Sequence, residues 1–325
     1  MNNRIRPMKY VGVIGLALAL ALPSLVLAQP PGGGRGGFGT PDPRVEQRTY
    51  HFEDTNEEMR YALFVSSKVE KGEKAPLIVA LHGMGGDGNS LLRGRALELA
   101  EEGGYILVGP MGYNPTGWFG SPVIVMNGRG RRGGGPPGAG AAPAGGPQAA
   151  GGAPAGGAAP APGGAAPAAA AGAAAPPAGP DPETLARLSE ADVMNVIALV
   201  EEEFTVDEDR TYLMGHSMGG AGSLFLGQKY ADNWAAVAVI APAAFMMQRN
   251  AAAILTPMKD ADVPVLIIQG DADTVVPPEN TRAWAAALES LDMEGEYVEL
   301  AGGDHGSVIG DGMPAIFELF EANER

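Results

Sequence analysis

The chain has 325 residues, no cysteine and a formal net charge of −16. The lack of cysteine excludes disulfides, thiol catalysis and cysteine-ligated zinc, so stability must come from a buried core. The acidic balance disfavours nucleic acids and anionic membrane surfaces as partners, because both attract clustered Lys and Arg.

Residues 1–28 are predicted to form a secretory signal peptide. Arg4, Arg6 and Lys9 precede an apolar run, Val11–Leu27, and small residues allow cleavage after Ala28. A membrane anchor is the alternative, but the run is shorter than the roughly 20 residues of a typical span. Cleavage would change the net charge from −16 to −19. We therefore expect a secreted or periplasmic protein with no integral membrane span after signal removal.

Two further segments are predicted to lie outside the packed core. Residues 29–44 are expected to be a flexible N-terminal segment. Residues 128–180 consist almost entirely of Gly, Ala and Pro, which offer too little apolar surface to offset the entropy of ordering. We predict one catalytic domain over 45–325, interrupted by a disordered insertion at 128–180.

Apolar runs alternate with amphipathic stretches along this domain, which predicts an α/β fold with a mostly parallel sheet covered by helices on both faces. The predicted strands are Tyr61–Val65, Pro76–Leu81, Tyr105–Val108, Thr211–Met214, Ala235–Ile240, Val263–Ile268 and Glu296–Leu300. The first predicted helix is Ser90–Glu102, the second runs from a Ser189-Glu-Ala-Asp192 capping box to Phe204, and the third ends near Tyr230. Two more helices are predicted from apolar stripes. One stripe is Trp284, Leu288 and Leu291, and the other is Met313, Ile316, Phe317 and Phe320. Ligands of such sheets bind beyond the carboxyl ends of the strands.

The stretch GHSMGG places Ser217 between a predicted strand and a predicted helix. That context is typical of a nucleophile elbow, in which Gly215 and Gly219 allow close packing around a strained serine. The alternative is a serine that only caps the helix. Strand and helix together favour the nucleophile.

His305 is the candidate general base. The chain has four histidines, and only His305 follows Ser217, as the Ser, acid, His order of such enzymes requires. It lies in the glycine-rich loop GGDHG after the last predicted strand, whereas a structural histidine would more commonly lie within an apolar run.

The orienting acid is expected after the strand VPVLIIQG, where Asp271 and Asp273 both occur. A buried carboxylate there would hold the second imidazole nitrogen and stabilise the imidazolium. One of the two aspartates could instead cap the next helix. A calcium loop is disfavoured, because Thr274, Val275 and Val276 follow.

The stretch LHGMGG follows a buried strand and is expected at the same sheet edge. An acyl-transfer intermediate needs two preorganised N–H donors, for which we assign the backbone amides of Met84 and Met218. His82 is interpreted as an organiser of this loop. The stretch lacks the Walker spacing and lysine of a phosphate loop.

With these motifs in place, the chain resembles the α/β-hydrolase superfamily. It is most similar to secreted esterases of the poly(3-hydroxybutyrate) depolymerase and feruloyl-esterase-like group, and more loosely to prolyl-oligopeptidase-type hydrolases. The likeness rests on LHGMGG, GYNPTGWFG, GHSMGG, GDADTVVP and GGDHGSV. It implies that Ser217 is the nucleophile, His305 the base and Asp273 the acid. Trp118 is a candidate pocket wall, with plain packing as the alternative.

The leading hypothesis is a secreted, cofactor-free serine esterase with no metal, acting on a small-molecule or polymeric ester. A peptidase with the same triad and a non-catalytic envelope binding protein are the alternatives. The insertion leaves the fold at the edge where other hydrolases carry lids, but it lacks the apolar residues of a lid. We therefore expect an open, weakly shielded site.

Overall fold

A computed structural model describes residues 40–122 and 180–325, which contain one eight-stranded sheet. The strand order is β1-β2-β4-β3-β5-β6-β7-β8, with β1 and β2 antiparallel to their neighbours and the remaining pairs parallel. The strands are β1 (Glu46–Phe52), β2 (Glu57–Val65), β3 (Ala75–Leu81), β4 (Ile106–Pro110), β5 (Val206–His216), β6 (Ala236–Ile240), β7 (Val265–Gly270) and β8 (Gly295–Leu300).

The central strands are buried on both faces, which explains their nearly continuous apolar sequences. Every residue of β3 is buried, and successive side chains point to opposite faces. Leu77, Val79 and Leu81 enter one apolar cluster, whereas Ile78 and Ala80 enter the other. The sheet therefore separates two cores.

Within the described ranges, six α-helices cover the two faces of the sheet. They are α1 (Arg95–Gly103), α2 (Pro182–Glu203), α3 (Met218–Lys229), α4 (Ala251–Asp260), α5 (Pro278–Ser290) and α6 (Ser307–Ala322). Buried residues of α1 and α6 share one core, and those of α2 to α5 share the other. The predicted α/β class, with a mostly parallel sheet and helices on both faces, is confirmed.

The predicted apolar stripes are also confirmed. Trp284 and Leu288 of α5 are buried, as are four residues of the closing helix: Met313, Ile316, Phe317 and Phe320. The sequence prediction missed β1 and α4, and it began α1 five residues too early, at Ser90 instead of Arg95.

The predicted start of α2 at the Ser189 to Asp192 capping box is wrong. The helix begins at Pro182, and the side chain of Asp181 accepts hydrogen bonds from the amides of Glu183 and Thr184 at 3.1 and 3.0 Å. Ser189 and Asp192 lie within the helix and are fully buried. Their side chains bond to a neighbouring loop instead of to their own helix end, as described below.

The predicted signal peptide and residues 29–39 of the predicted flexible segment lie outside the described residues, as does the predicted insertion except for Pro180. Among the helices of the described ranges, none has both the length and the hydropathy needed to span a bilayer.

Candidate active site

Ser217 lies at a sharp turn between β5 and α3. Its φ of 55° and ψ of −113° are a strained combination for a residue with a side chain. The Ser217 amide donates to the carbonyl of Ile240 at 2.8 Å, and its carbonyl accepts from the amide of Ala243 at 2.9 Å. Both partners lie at the end of β6, so the neighbouring strand holds the strained turn in place.

The glycines on either side of Ser217 are required by close backbone packing. A Cβ at Gly215 would lie 2.2 Å from the carbonyl oxygen of Gly219, and a Cβ at Gly219 would lie 2.1 Å from that of Leu81 in β3. Neither neighbour is a side chain that could move away. A side chain at either position would therefore force apart the backbone segments around Ser217.

Ser217, His305 and Asp273 form one hydrogen-bonded chain. His305 Nδ1 lies 2.7 Å from Asp273 Oδ2, and His305 Nε2 lies 3.0 Å from Ser217 Oγ. Since a carboxylate only accepts, Nδ1 carries the proton and donates it to Asp273, which leaves the Nε2 lone pair free to accept from the serine hydroxyl. This is the tautomer that a general base needs.

Asp273, and not Asp271, contacts His305. The Asp271 carboxylate accepts from the amide of Gly302 at 2.6 Å, in the loop that carries the histidine. Asp273 is buried, and its second oxygen accepts from the amides of Val275 and Val276 at 2.8 and 2.9 Å. Of the two aspartates, Asp273 is therefore the one within hydrogen-bond distance of the His305 imidazole.

Gln269 and Thr281 support Asp273 and were not predicted. Gln269 is fully buried, and its Nε2 lies 3.3 Å from Asp273 Oδ2. The Thr281 hydroxyl on α5 donates to Gln269 Oε1 at 2.6 Å and thereby fixes the orientation of the amide. The sequence offered one signal for this contact, an uncharged polar residue, Gln269, near the end of the apolar strand VLIIQG. A polar group buried in such a strand needs a hydrogen-bond partner.

The loop after β3 lies beside Ser217. A Cβ at Gly83 would be 3.5 Å from the Cβ of Ser217, an ordinary van der Waals distance, so the backbone of this loop lies directly against the serine. Within residues 40–122 and 180–325, neither the Met84 nor the Met218 amide donates a hydrogen bond. Two unused N–H groups next to a nucleophile are what an oxyanion hole requires.

His82 connects this loop to the one that follows β4. The imidazole is buried, with Nδ1 2.8 Å from the carbonyl of Gly83 and Nε2 3.0 Å from that of Met111. Burial lowers the pKa of His82. These contacts agree with the predicted role of His82 as a loop organiser.

The loop that carries Trp118 has an unusual backbone. Tyr113, Trp118 and Phe119 have φ values of 66°, 63° and 50°, in the left-handed region that favours glycine. Trp118 itself is buried. Such outliers persist only where surrounding contacts hold them in place.

The contacts that hold this loop come from α2. Ser189 Oγ accepts from the amide of Phe119 at 2.8 Å, and Asp192 accepts from the amides of Gly112 and Tyr113 at 2.6 and 3.2 Å. The Tyr50 hydroxyl donates to the other Asp192 oxygen at 2.5 Å. Burial raises the pKa of Asp192, and these hydrogen bonds act in the opposite direction. Ser189 and Asp192, whose spacing suggested a capping box, therefore anchor a strained loop at the site.

A shallow apolar depression lies beside the elbow. The depression is too narrow to hold a water molecule, and Trp118 in its wall is only 2% exposed, which favours plain packing, the alternative interpretation of this residue. The lining residues are Trp118, Ser121, Pro122, Ala221, Ala243, Ala244, Met246 and Met247. In the described part of the chain, no group of three or more His, Asp or Glu side chains is arranged to hold a metal ion.

An eight-stranded, mostly parallel sheet with a strained serine after its central strand defines an α/β-hydrolase fold. The predicted α/β-hydrolase fold is therefore confirmed. A family model described as PET hydrolase-like matches residues 183–313, a range that contains Ser217, Asp273 and His305.

Solved structures with this fold include several ester hydrolases. A thermostable esterase has a TM-score of 0.54 and 22% sequence identity, over 87% of this chain and 64% of that one. A ferulic acid esterase from Anaeromyces mucronatus has a TM-score of 0.54 and 16% identity, over 89% and 94%. An S-formylglutathione hydrolase from Agrobacterium tumefaciens has a TM-score of 0.55 and 15% identity, over 85% and 94%. None of the curated proteins compared with this chain matches it.

Proposed function

We propose that the protein is a serine hydrolase that cleaves carboxylic esters through an acyl-enzyme on Ser217. The observation that carries the proposal is the continuous chain from Asp273 through His305 to Ser217, with contacts of 2.7 and 3.0 Å. Nucleophile, base and orienting acid are thus within hydrogen-bond reach of one another, as acyl transfer requires. The similarity to esterases of the same fold supports this reaction class.

The first step forms the acyl-enzyme. His305 Nε2 takes the hydroxyl proton as Ser217 Oγ bonds to the ester carbonyl carbon, and the carbonyl oxygen becomes an oxyanion facing the Met84 and Met218 amides. The carbon–oxygen bond to the alcohol then breaks, and His305 gives its proton to the departing alkoxide. Throughout, Asp273 stabilises the imidazolium.

The second step releases the acid. Water gives a proton to His305 and bonds to the acyl carbon; the bond to Ser217 Oγ then breaks, and the proton returns to the serine. The reaction thus consumes one water, yields one acid and one alcohol, and needs no cofactor.

The surface around Ser217 supports an apolar ester as substrate. The large hydrophobic side chains that are exposed in the described residues are Met84, Phe245, Met246 and Val275. They follow β3, β6 and β7, all at the carboxyl edge that carries the elbow. They would contact acyl or alcohol groups larger than acetyl or methanol.

A comparison of p-nitrophenyl esters with aminoacyl p-nitroanilides tests the proposed reaction class. We expect turnover of p-nitrophenyl butyrate, slower turnover of the acetate, and loss of both in Ser217→Ala. Anilide turnover exceeding ester turnover would instead favour the peptidase alternative. A folded protein that cleaves neither class would favour the non-catalytic binding protein.

We also propose that the protein acts outside the cytoplasm, because residues 1–28 have the charge and hydropathy pattern of a signal peptide. N-terminal sequencing of protein recovered from the periplasm or medium should give Gln29 as the first residue. Recovery of the uncleaved chain from the membrane fraction would support an N-terminal anchor.

A further inference from the structure

His216 precedes the nucleophile and is not used in the mechanism described above. The side chain is 8% exposed and lies between two parts of the site. Its Nε2 is 2.8 Å from the backbone carbonyl oxygen of His305, and the two imidazole rings are 4.6 Å apart. On its other side, a Cβ at Gly83 would lie 3.0 Å from His216 Nδ1.

The contact with His305 fixes the tautomer of His216. A carbonyl oxygen can only accept, so His216 Nε2 carries the hydrogen and donates it. Burial and the neighbouring His305 lower the pKa of His216 to about 4, so the ring is neutral near pH 7. The side chain therefore acts as a neutral donor aimed at the backbone of the base.

The His305 loop is also held from outside. The Asp304 carboxylate accepts from the amides of Gly306 and Ser307 at 2.9 and 2.8 Å, and Asp271 accepts from Gly302. These contacts fix the residues on either side of His305. The bond from His216 is made to the carbonyl of His305 itself.

We propose that His216 is a positioning residue for the reaction, which holds the backbone of His305 so that Nε2 remains aligned with Ser217 Oγ. The inference rests on the proposed function. A second consequence is electrostatic: the imidazolium that forms on His305 faces a neutral ring, whereas a cation at that position would oppose its formation. A buried, uncharged His216 that donates through Nε2 holds the His305 backbone and places no positive charge beside the imidazolium.

The test compares His216→Gln, His216→Asn and His216→Leu in the full chain. The Gln side chain places an amide N–H donor about as far from the backbone as His Nε2. The Asn side chain carries the same amide but is one methylene shorter, and the Leu side chain fills space without a donor. We expect Gln to keep kcat within about threefold, and Asn and Leu to lower kcat about 10- to 100-fold with little change in KM, because misalignment of reacting groups impairs the chemical step. Ser223→Ala is the matched control, since Ser223 is buried beside Gly215 and its hydroxyl has no partner within the described residues.

Wild-type kcat in Asn and Leu variants that melt near the wild-type temperature would overturn the proposal. Equal losses of kcat in Gln and Leu would also overturn it, because the donor would then be irrelevant. A wild-type protein without esterase activity would instead contradict the proposed function.

A measurement on the wild-type protein does not depend on how the variants fold. In ¹⁵N-histidine NMR at pH 7, His216 should be neutral with the proton on Nε2. An Nδ1–H tautomer or an imidazolium at that position would overturn the proposal.

Discussion

Two aspartates in one short loop perform different tasks, although they lie only two residues apart. Asp273 is buried and contacts His305, while Asp271 is exposed and binds the amide of Gly302. Residue types could not separate them, because either could follow the strand and face the histidine. The family pattern did favour Asp273, and the structure places that carboxylate at His305.

Asp273→Asn should lower kcat about 10³- to 10⁴-fold, because an amide no longer selects the tautomer that leaves Nε2 free to accept. Asp271→Asn is the matched control and should stay within about tenfold of wild type, since an amide oxygen can still accept from Gly302. Steady-state hydrolysis of p-nitrophenyl butyrate measures both. A larger loss in Asp271→Asn than in Asp273→Asn would contradict the assignment.

At the scale of elements, the elbow is built by the tight contact of β5 and α3 with β3. The backbone of Gly219 lies against the carbonyl of Leu81, where a Cβ would be only 2.1 Å away. The sequence motif suggested close packing of its own strand and helix, which the approach of Gly215 to Gly219 shows, but not the contact with β3, because Leu81 is distant in the chain. The strained backbone of Ser217 follows from the same geometry.

Gly219→Ala should lower the free energy of unfolding by about 1 to 3 kcal/mol, because the helix must shift away from the strand. It should also reduce ester hydrolysis, since the shift moves the Met218 amide and Ser217.

Gly310→Ala is the control: Gly310 lies in α6 with no atom within 4 Å of the added Cβ. That change should stabilise by up to about 1 kcal/mol, as helix propensity predicts. Urea unfolding of both variants measures the difference, and a destabilised Gly310→Ala or a neutral Gly219→Ala would contradict it.

The element that sequence analysis misplaced is the start of α2. Ser189 and Asp192 have the spacing of a capping box, but they are buried and bind the loop that contains Trp118. That partner lies about 70 residues earlier in the chain, with the insertion between. Local patterns can identify a side chain suited to bind a backbone amide but not which amide it binds, because long-range packing decides the partner.

At the scale of the whole molecule, buried histidines make stability depend on pH. The pKa of His216 falls from 6.5 to about 4 in the folded state, chiefly through burial. Between those pH values the unfolded chain binds a proton that the native chain does not, so stability falls as the pH falls. Burial lowers the pKa of His82 in the same direction, so it adds to this effect.

His216→Gln should reduce this pH dependence, because the amide keeps the donor but does not titrate. The loss of unfolding free energy between pH 7 and pH 4.5 should be about 2 kcal/mol smaller than in wild type, at 1.36 kcal/mol per pH unit. Urea unfolding at the two pH values measures this. An unchanged pH dependence in His216→Gln would mean that His216 is not held neutral.

We predict that the site does not depend on the 128–180 insertion, because that stretch lacks the apolar residues needed to cover a pocket. The Ser217, His305 and Asp273 side chains and all of their hydrogen-bond partners described above lie in residues 40–122 and 180–325. Deletion of 130–178 should therefore keep kcat/KM for p-nitrophenyl butyrate within about twofold, as surface connections tolerate changes in length. A large loss in the folded deletion variant would indicate that the insertion helps to build the site.

The mostly parallel sheet and the carboxyl-edge location of the site followed from apolar patterning, since parallel strands read as continuous apolar runs. The supporting side chains Gln269, Thr281 and His216 did not, because their roles depend on contacts between distant elements.

Intact-mass analysis after treatment with a fluorophosphonate tests the central claim most directly. One adduct per chain should form, and peptide mapping should place it on Ser217, with no adduct in Ser217→Ala. His305→Ala should react far more slowly, since the base is missing. A folded wild-type chain that forms no adduct, or forms it on another serine, would contradict the assignment of Ser217 as the nucleophile.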